Sequence, residues 1–125
     1  MPPALGGGMT NQITNTRVLP HHRLVAYQVA KELVGAVMQA RIRDAQLRDQ
    51  AMRAVSSAAL NIAEGAGKQA GKARRHSFDV ARGEAIEAVA AVEIAAECGL
   101  ANAESVPRCL AIADRLVALL IGLTR

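Results

Sequence analysis

The sequence predicts an all-α chain: an antiparallel, up-down four-helix bundle over residues 20–125, preceded by a disordered, flexible leader over 1–19. Three observations carry that prediction. Alanine supplies 26 of the 125 residues, while the aromatics shrink to Tyr27 and Phe78. Strands favour β-branched and aromatic side chains, whereas helices favour the Ala, Leu, Glu and Arg found here. Apolar residues return at spacings of three and four in four stretches, and Pro and Gly fall where those stretches begin and end.

The leader holds Pro2-Pro3, Gly6-Gly7-Gly8 and a Thr/Asn-rich run without any period. The first helix is expected from about His21 to Arg43, just behind Pro20, where a missing N–H costs least. Tyr27, Ala30, Val34, Val37 and Met38 give its apolar stripe, and Gly35 inside it suggests close helix approach. The second is expected from near Asp44, a suitable N-cap, to about Ala63 or slightly beyond, with Leu47, Ala51, Ala54, Val55, Ala58 and Ile62 as its apolar positions. Gly65, Gly67 and Gly71 then mark a stop and a turn. The third runs from about Lys72 to Cys98, ends at Gly99, and carries Phe78, Ala81, Ala85, Val89, Val92 and Ala96 on one face. The fourth starts near Ser105, with Pro107 in its first turn. Val106, Cys109, Leu110, Ala113, Leu116, Val117 and Leu120 form the cleanest stripe of the four. Short connections between such helices favour antiparallel neighbours. Ala-rich faces also bury little area per residue, which argues for further burial between subunits in a homo-oligomer.

Composition narrows the function. Fifteen Lys and Arg against eleven Asp and Glu leave a formal charge of +4, a mild bias toward polyanions. With two aromatics, a base-stacking platform for single strands is excluded, so any nucleic-acid contact is to the backbone. The start lacks the basic region and apolar core of a signal peptide, and the longest apolar run, Leu116–Leu123, is far short of the ~20 residues that span a bilayer. The expected location is cytoplasmic, away from membranes, with Cys98 and Cys109 as free buried thiols.

Two polar features stand out. On the second helix Gln50, Arg53, Ser57, Asn61 and Glu64 recur at three- and four-residue spacing beside the apolar face. Such a stripe is either a solvated face or a hydrogen-bonding seam against a neighbouring helix or subunit. Around the turn between helices two and three stand Lys68, Lys72, Arg74, Arg75 and Arg82, with His76 among them and Asp79 the single acid. This corner either tracks phosphates, chiefly through Lys68, Lys72, Arg74 and Arg75, or solubilises the turn. Glu84, Glu87, Glu93 and Glu97 make the rest of helix three acidic.

Catalytic chemistry finds little purchase. A di-metal bundle site needs Glu-x-x-His pairs, and none occurs; the histidines are His21, His22 and His76. Gly65-Ala66-Gly67-Lys68 lacks the preceding strand and the following Ser or Thr of a phosphate loop. No nucleophile–base–orienter set suggests itself. The expectation is a protein that is no enzyme and holds no metal or cofactor.

The run Ala51-Met52-Arg53-Ala54-Val55-Ser56-Ser57-Ala58-Ala59-Leu60-Asn61-Ile62-Ala63-Glu64-Gly65 resembles the signature of the four-helix bundle family encoded in 23S ribosomal RNA intervening sequences, an Arg-Ala-x-x-Ser segment leading into Asn-Ile-Ala-Glu-Gly. Phe78 to Glu87 is similar to the family's Ala-x-Gly-Ser-x-x-Glu segment, and Leu24 to Ala30 to its opening helix. The resemblance spans about residues 19–121 and implies small up-down bundles assembled as ring-like homopentamers, most without established activity. One branch, the accessory variability determinant of diversity-generating retroelements, binds a reverse transcriptase and RNA through a positively charged pentamer. By position, Arg53, Ser57, Asn61, Glu64, Gly65, Gly83 and Glu87 match the family pattern. Glu84 departs from it, standing where the family usually has Ser, and the link between helices one and two is shorter than usual. The polar stripe and the signature coincide at Arg53, Ser57, Asn61 and Glu64, which favours the seam and a role in fixing register.

The leading expectation is therefore an oligomeric scaffold or adaptor that contacts an RNA or DNA backbone, or a nucleic-acid enzyme, through its basic corner. The alternative is a pure protein-interaction module with no nucleic-acid binding. A third, weaker reading is a ligand-binding or enzymatic bundle that uses a pentameric pore.

Overall fold

The computed structural model describes residues 18–125, and all its regular structure is helical. A single 3-10 turn, Pro20–Arg23, leads into α1 (Val25–Gln39), α2 (Ala45–Ala66), α3 (Lys72–Glu97) and α4 (Ser105–Thr124). The expected leader lies outside the described residues except for Val18 and Leu19.

The up-down order follows from what meets at each end. At one end the α1–α2 link is pinned to the α3–α4 link: the Arg43 N–H donates to Leu100 O at 2.7 Å, and the Asn102 N–H to Ala40 O at 2.9 Å. Arg43 also donates from its guanidinium to Gly99 O, and Asn102 from its amide to Gln39 O. At the other end the α2–α3 turn closes, and the start of α1 lies against the end of α4, where Leu24, Val25 and Ala26 share a groove with Leu119, Gly122 and Leu123. Each helix packs on the next, α4 closes back on α1, and the α2–α3 pair is the most extensive contact.

That pair is close because its facing residues are small. More than half of the buried apolar residues are alanines, among them Ala51, Ala54 and Ala58 of α2 and Ala81, Ala85, Ala88, Ala91 and Ala95 of α3. Phe78, Leu33, Ile62, Leu116 and Leu120 supply the bulk. The predicted stripes of α2 and α3 are buried, with Leu47 and Ala96 half-buried at the margins. In α4, Cys109, Ala113, Leu116 and Leu120 face inward, while Leu110 is exposed.

Helix α1 corrects its expectation twice. Its buried face is Ala26, Val29, Ala30, Leu33, Ala36 and Val37, a stripe rotated from the predicted one, and Met38 points outward at 61% exposure. Its end is Gln39, not Arg43: Arg41 takes a left-handed φ of 51°, the chain reverses, and Ile42 tucks in at 5% exposure. The helix also starts later than predicted, because the 3-10 turn and the extended Leu24 precede it. Asp44 caps α2 as expected, its carboxylate accepting the Leu47 N–H at 2.9 Å. Gly99, at φ 73°, supplies the left-handed residue that ends α3.

The cysteines differ from one another. Cys109 is buried as predicted, but Cys98 caps the end of α3 and is exposed. Burial pushes the Cys109 thiol up, an effect only partly offset by the charge of Arg108. A raised thiol pKa favours the neutral form in the fold. The resulting stabilisation is complete below the unfolded thiol's pKa and is lost as pH climbs through the folded one. We expect a chromogenic disulfide reagent near pH 8 to titrate one thiol per native chain promptly and the second only with unfolding. Two equally fast thiols would contradict the buried position of Cys109.

Candidate functional site

The basic corner is built by the way α2 ends. Gly65 and Ala66 carry the helix slightly beyond Ala63, within the expected end, and Gly67 is its C-cap, its N–H donating to Ala63 O at 3.2 Å. Gly71, at φ 139°, then swings the chain into α3 in a conformation open to glycine and little else. Because Gly65 and Ala66 are helical, the Gly-Ala-Gly-Lys run does not form a phosphate-cradling loop.

The turn is held by its own cations. Lys68 Nζ lies 2.9 Å from Glu64 Oε2 and donates to Ser77 Oγ at 3.0 Å. Ser77 is the one buried polar residue among those described, at 2% exposure, and its hydroxyl also donates to Ala73 O at 3.3 Å. Arg74 donates to Lys68 O at 3.1 Å, and its guanidinium carbon stands 5.4 Å from the centre of the Phe78 ring. Phe78 in turn presses its ring edge on Gly65. Lys68 and Arg74 therefore commit part of their donors within the fold, tying the end of α2 to the first turns of α3.

Lys72 and Arg75 are different. Both are exposed on the first turn of α3, and neither makes a side-chain hydrogen bond or ion pair to a described residue. His76 is exposed beside them. Arg82 stands only 3.8 Å from Asp79, one helical turn back, so part of its charge is neutralised locally. The four predicted contact residues are thus brought to one corner and split into two pairs, one that holds the turn and one that is free.

The polar stripe of α2 makes no seam against another helix of the same chain. Asn61 Nδ2 donates to Ser57 O at 2.9 Å and to Ser57 Oγ at 3.2 Å, both within α2. Arg53 and Gln50 are exposed, and Glu64 is engaged by Lys68 in the turn just past the end of α2. The reason is rotation: the residues that face α3 are Ala51, Ala54, Ala58, Ile62 and Gly65, and the stripe lies to their side. Of the other family-pattern residues, Gly65 is buried in contact with Phe78 and Ser77, whereas Gly83 and Glu87 are exposed on α3.

Sequence reasoning missed Ser77 as the anchor of the corner. The available signal was a hydroxyl beside Phe78, on the first turns of the most alanine-lined helix. Among the described residues, no three His, Cys, Asp or Glu side chains come together to hold a metal ion, and no helix is long and apolar enough to cross a membrane.

No curated protein matches the chain. The family model of the 23S rRNA-intervening sequence protein matches residues 22–122, from the 3-10 turn to the last turn of α4. That span contains α1, α2 and α3, all of α4 but its last two residues, and every residue of the signature on α2. The chain belongs to the 23S rRNA-intervening sequence protein family.

Proposed function

We propose that this bundle is a non-enzymatic scaffold or adaptor of the cytoplasm that assembles with copies of itself and meets a nucleic-acid backbone, or the enzyme that handles it, at the α2–α3 corner. The observation that carries this reading is the pair Lys72 and Arg75. Both cations are exposed, without an ion pair among the described residues, on a turn that Lys68, Arg74 and Ser77 hold in place. A rigid turn presenting free cations positions a phosphate backbone without reading bases, in keeping with a chain that has no exposed aromatic platform.

Self-association is supported by what a single chain leaves open. Leu60, Ile86 and Ile94 are 69%, 53% and 53% exposed, and Gly83 on α3 has nothing within 4 Å of where a Cβ would stand. A core made largely of alanine gains from covering such positions. The family resemblance implies a ring of five, and Arg53, Ser57 and Asn61 on the open side of α2 would then set register between subunits. Arg53 and Glu64 lie three turns apart on one helix, so any pairing between them would cross chains.

Fluorescence anisotropy with labelled single-stranded RNA tests the nucleic-acid contact. Affinity should fall steeply between 50 and 200 mM salt, by roughly 0.7 log unit per log unit of salt for each phosphate contact. Lys72→Ala and Arg75→Ala should each weaken binding and flatten that slope, while Lys68→Met should first lower the melting temperature. Absent or salt-insensitive binding would leave the second reading, a pure protein-interaction module, which the exposed Leu60, Ile86 and Ile94 favour.

A further inference from the structure

Beyond the corner, the opposite end of the bundle holds a pocket of about 310 Å³ between the end of α1 and the start of α2. Val37 and Ile42 line its floor, Met38 and Met52 its walls, and Arg41 and Arg48 its rim. Two methionines make adaptable apolar walls that reshape around a guest. Neither arginine lies within 4.0 Å of a carboxylate among the described residues, and no acidic residue lines the pocket. Arg48 uses one Nη to reach Ile42 O at 3.3 Å, which orients its guanidinium while leaving donors to spare.

The backbone that carries Arg41 is fixed and strained. Arg41 sits at φ 51°, a conformation that costs a bulky residue energy and that glycine adopts freely. On either side, the Asn102 N–H grips Ala40 O and the Arg43 N–H grips Leu100 O. The fold therefore holds a cation in an unfavourable conformation at the mouth of an apolar cavity.

We propose that this pocket binds a small amphiphilic anion, a carboxylate on an unbranched chain of about eight carbons. The apolar tail would lie on Val37, Ile42, Met38 and Met52, and the carboxylate would be received by Arg41 and Arg48. The match is one of charge and size: a cationic rim without acids beside a half-open apolar pocket of about 310 Å³, at the small end of the range that takes small ligands. Arginine suits the head group because its planar fork binds carboxylates bidentately.

Titration of the full chain with sodium octanoate, followed through the methionine ε-methyl resonances, tests this. Saturable shifts at Met38 and Met52 are expected, with octanol, the neutral analogue, at least about tenfold weaker for want of a charge-assisted hydrogen bond. Arg41→Gly should weaken octanoate by about tenfold without lowering the melting temperature, because glycine relieves the left-handed φ. Met38→Glu, at an exposed wall position, should abolish octanoate binding in a chain that stays folded. Equal affinity for octanol and octanoate, or unchanged affinity in Arg41→Gly, would overturn the proposal. So would methyl shifts that follow protein concentration with no octanoate present, since a second copy would then be the occupant.

Discussion

Phe78→Ala is expected to cost roughly 3–5 kcal/mol, measured as a fall in the denaturant midpoint at unchanged slope. Phe78 is the largest fully buried side chain, at 0% exposure in a core whose other members are mostly alanine. Alanine neighbours have no rotamers with which to refill a cavity, so the lost ring volume would stay largely empty. The ring also ends the lever that shapes the basic corner: Gly65 lies against its edge and the Arg74 guanidinium stands 5.4 Å from its centre. A small domain has only about 5–15 kcal/mol in total, so this one change would remove a large share of it. Loss of Phe78 should therefore loosen the turn and unfold a measurable fraction of chains together. A cost below about 1 kcal/mol would show that the α2–α3 contact does not depend on this ring.

The parts of the fold that could be read from sequence are those where large apolar residues mark the period. On α2 and α3, Val55, Ile62, Phe78, Val89 and Val92 lie on the buried face, and the alanines between them follow. On α1 the predicted stripe takes Tyr27, Val34 and Met38 and misses Val29 and Leu33 as well as Ala26 and Ala36, because apolar residues stand on more than one face of this helix and the period alone does not choose between them. The end of α1 was hidden for a different reason. Arg41 carries no local signal for a left-handed conformation, and the reversal is secured by Leu100 and Asn102, some sixty residues away in the chain.

The candidate corner was legible as a cluster of charge but not as a set of partners. Lys68, Lys72, Arg74 and Arg75 look alike in sequence, yet Lys68 reaches Ser77 across the turn and Arg74 reaches back to Lys68 O. Local spacing does predict the Glu64–Lys68 pair, four residues apart across the end of α2. It cannot predict that Ser77 is buried, which depends on how α3 docks. The same limit applies to the signature on α2. Its Ser57 and Asn61 bond to each other along one helix, leaving the outward side of the stripe to whatever lies beyond the single chain.

Glycine substitutions separate what one chain requires from what an assembly requires. In an exposed helix interior, replacing Gly by Ala stabilises by up to about 1 kcal/mol through propensity. At Gly65 the sign should reverse. A Cβ there would stand 2.8 Å from the Phe78 ring and 3.1 Å from the Ser77 Cβ, inside a contact that neither neighbour can vacate cheaply, since both are buried. Overpacking of this kind costs roughly 1–3 kcal/mol, and Gly65→Ala should lower the melting temperature accordingly, by about 4–8 °C for each kcal/mol. Gly83→Ala is the paired experiment. With nothing within 4 Å of its added methyl, it should raise the melting temperature of the isolated chain, or leave it unchanged. If copies of the bundle meet on that face of α3, Gly83→Ala should instead weaken association in sedimentation velocity while the monomer stays folded. A stabilised Gly65→Ala would mean that the close approach of α2 and α3 does not depend on this glycine. A destabilised monomeric Gly83→Ala would mean that the open face of α3 is covered by the chain itself.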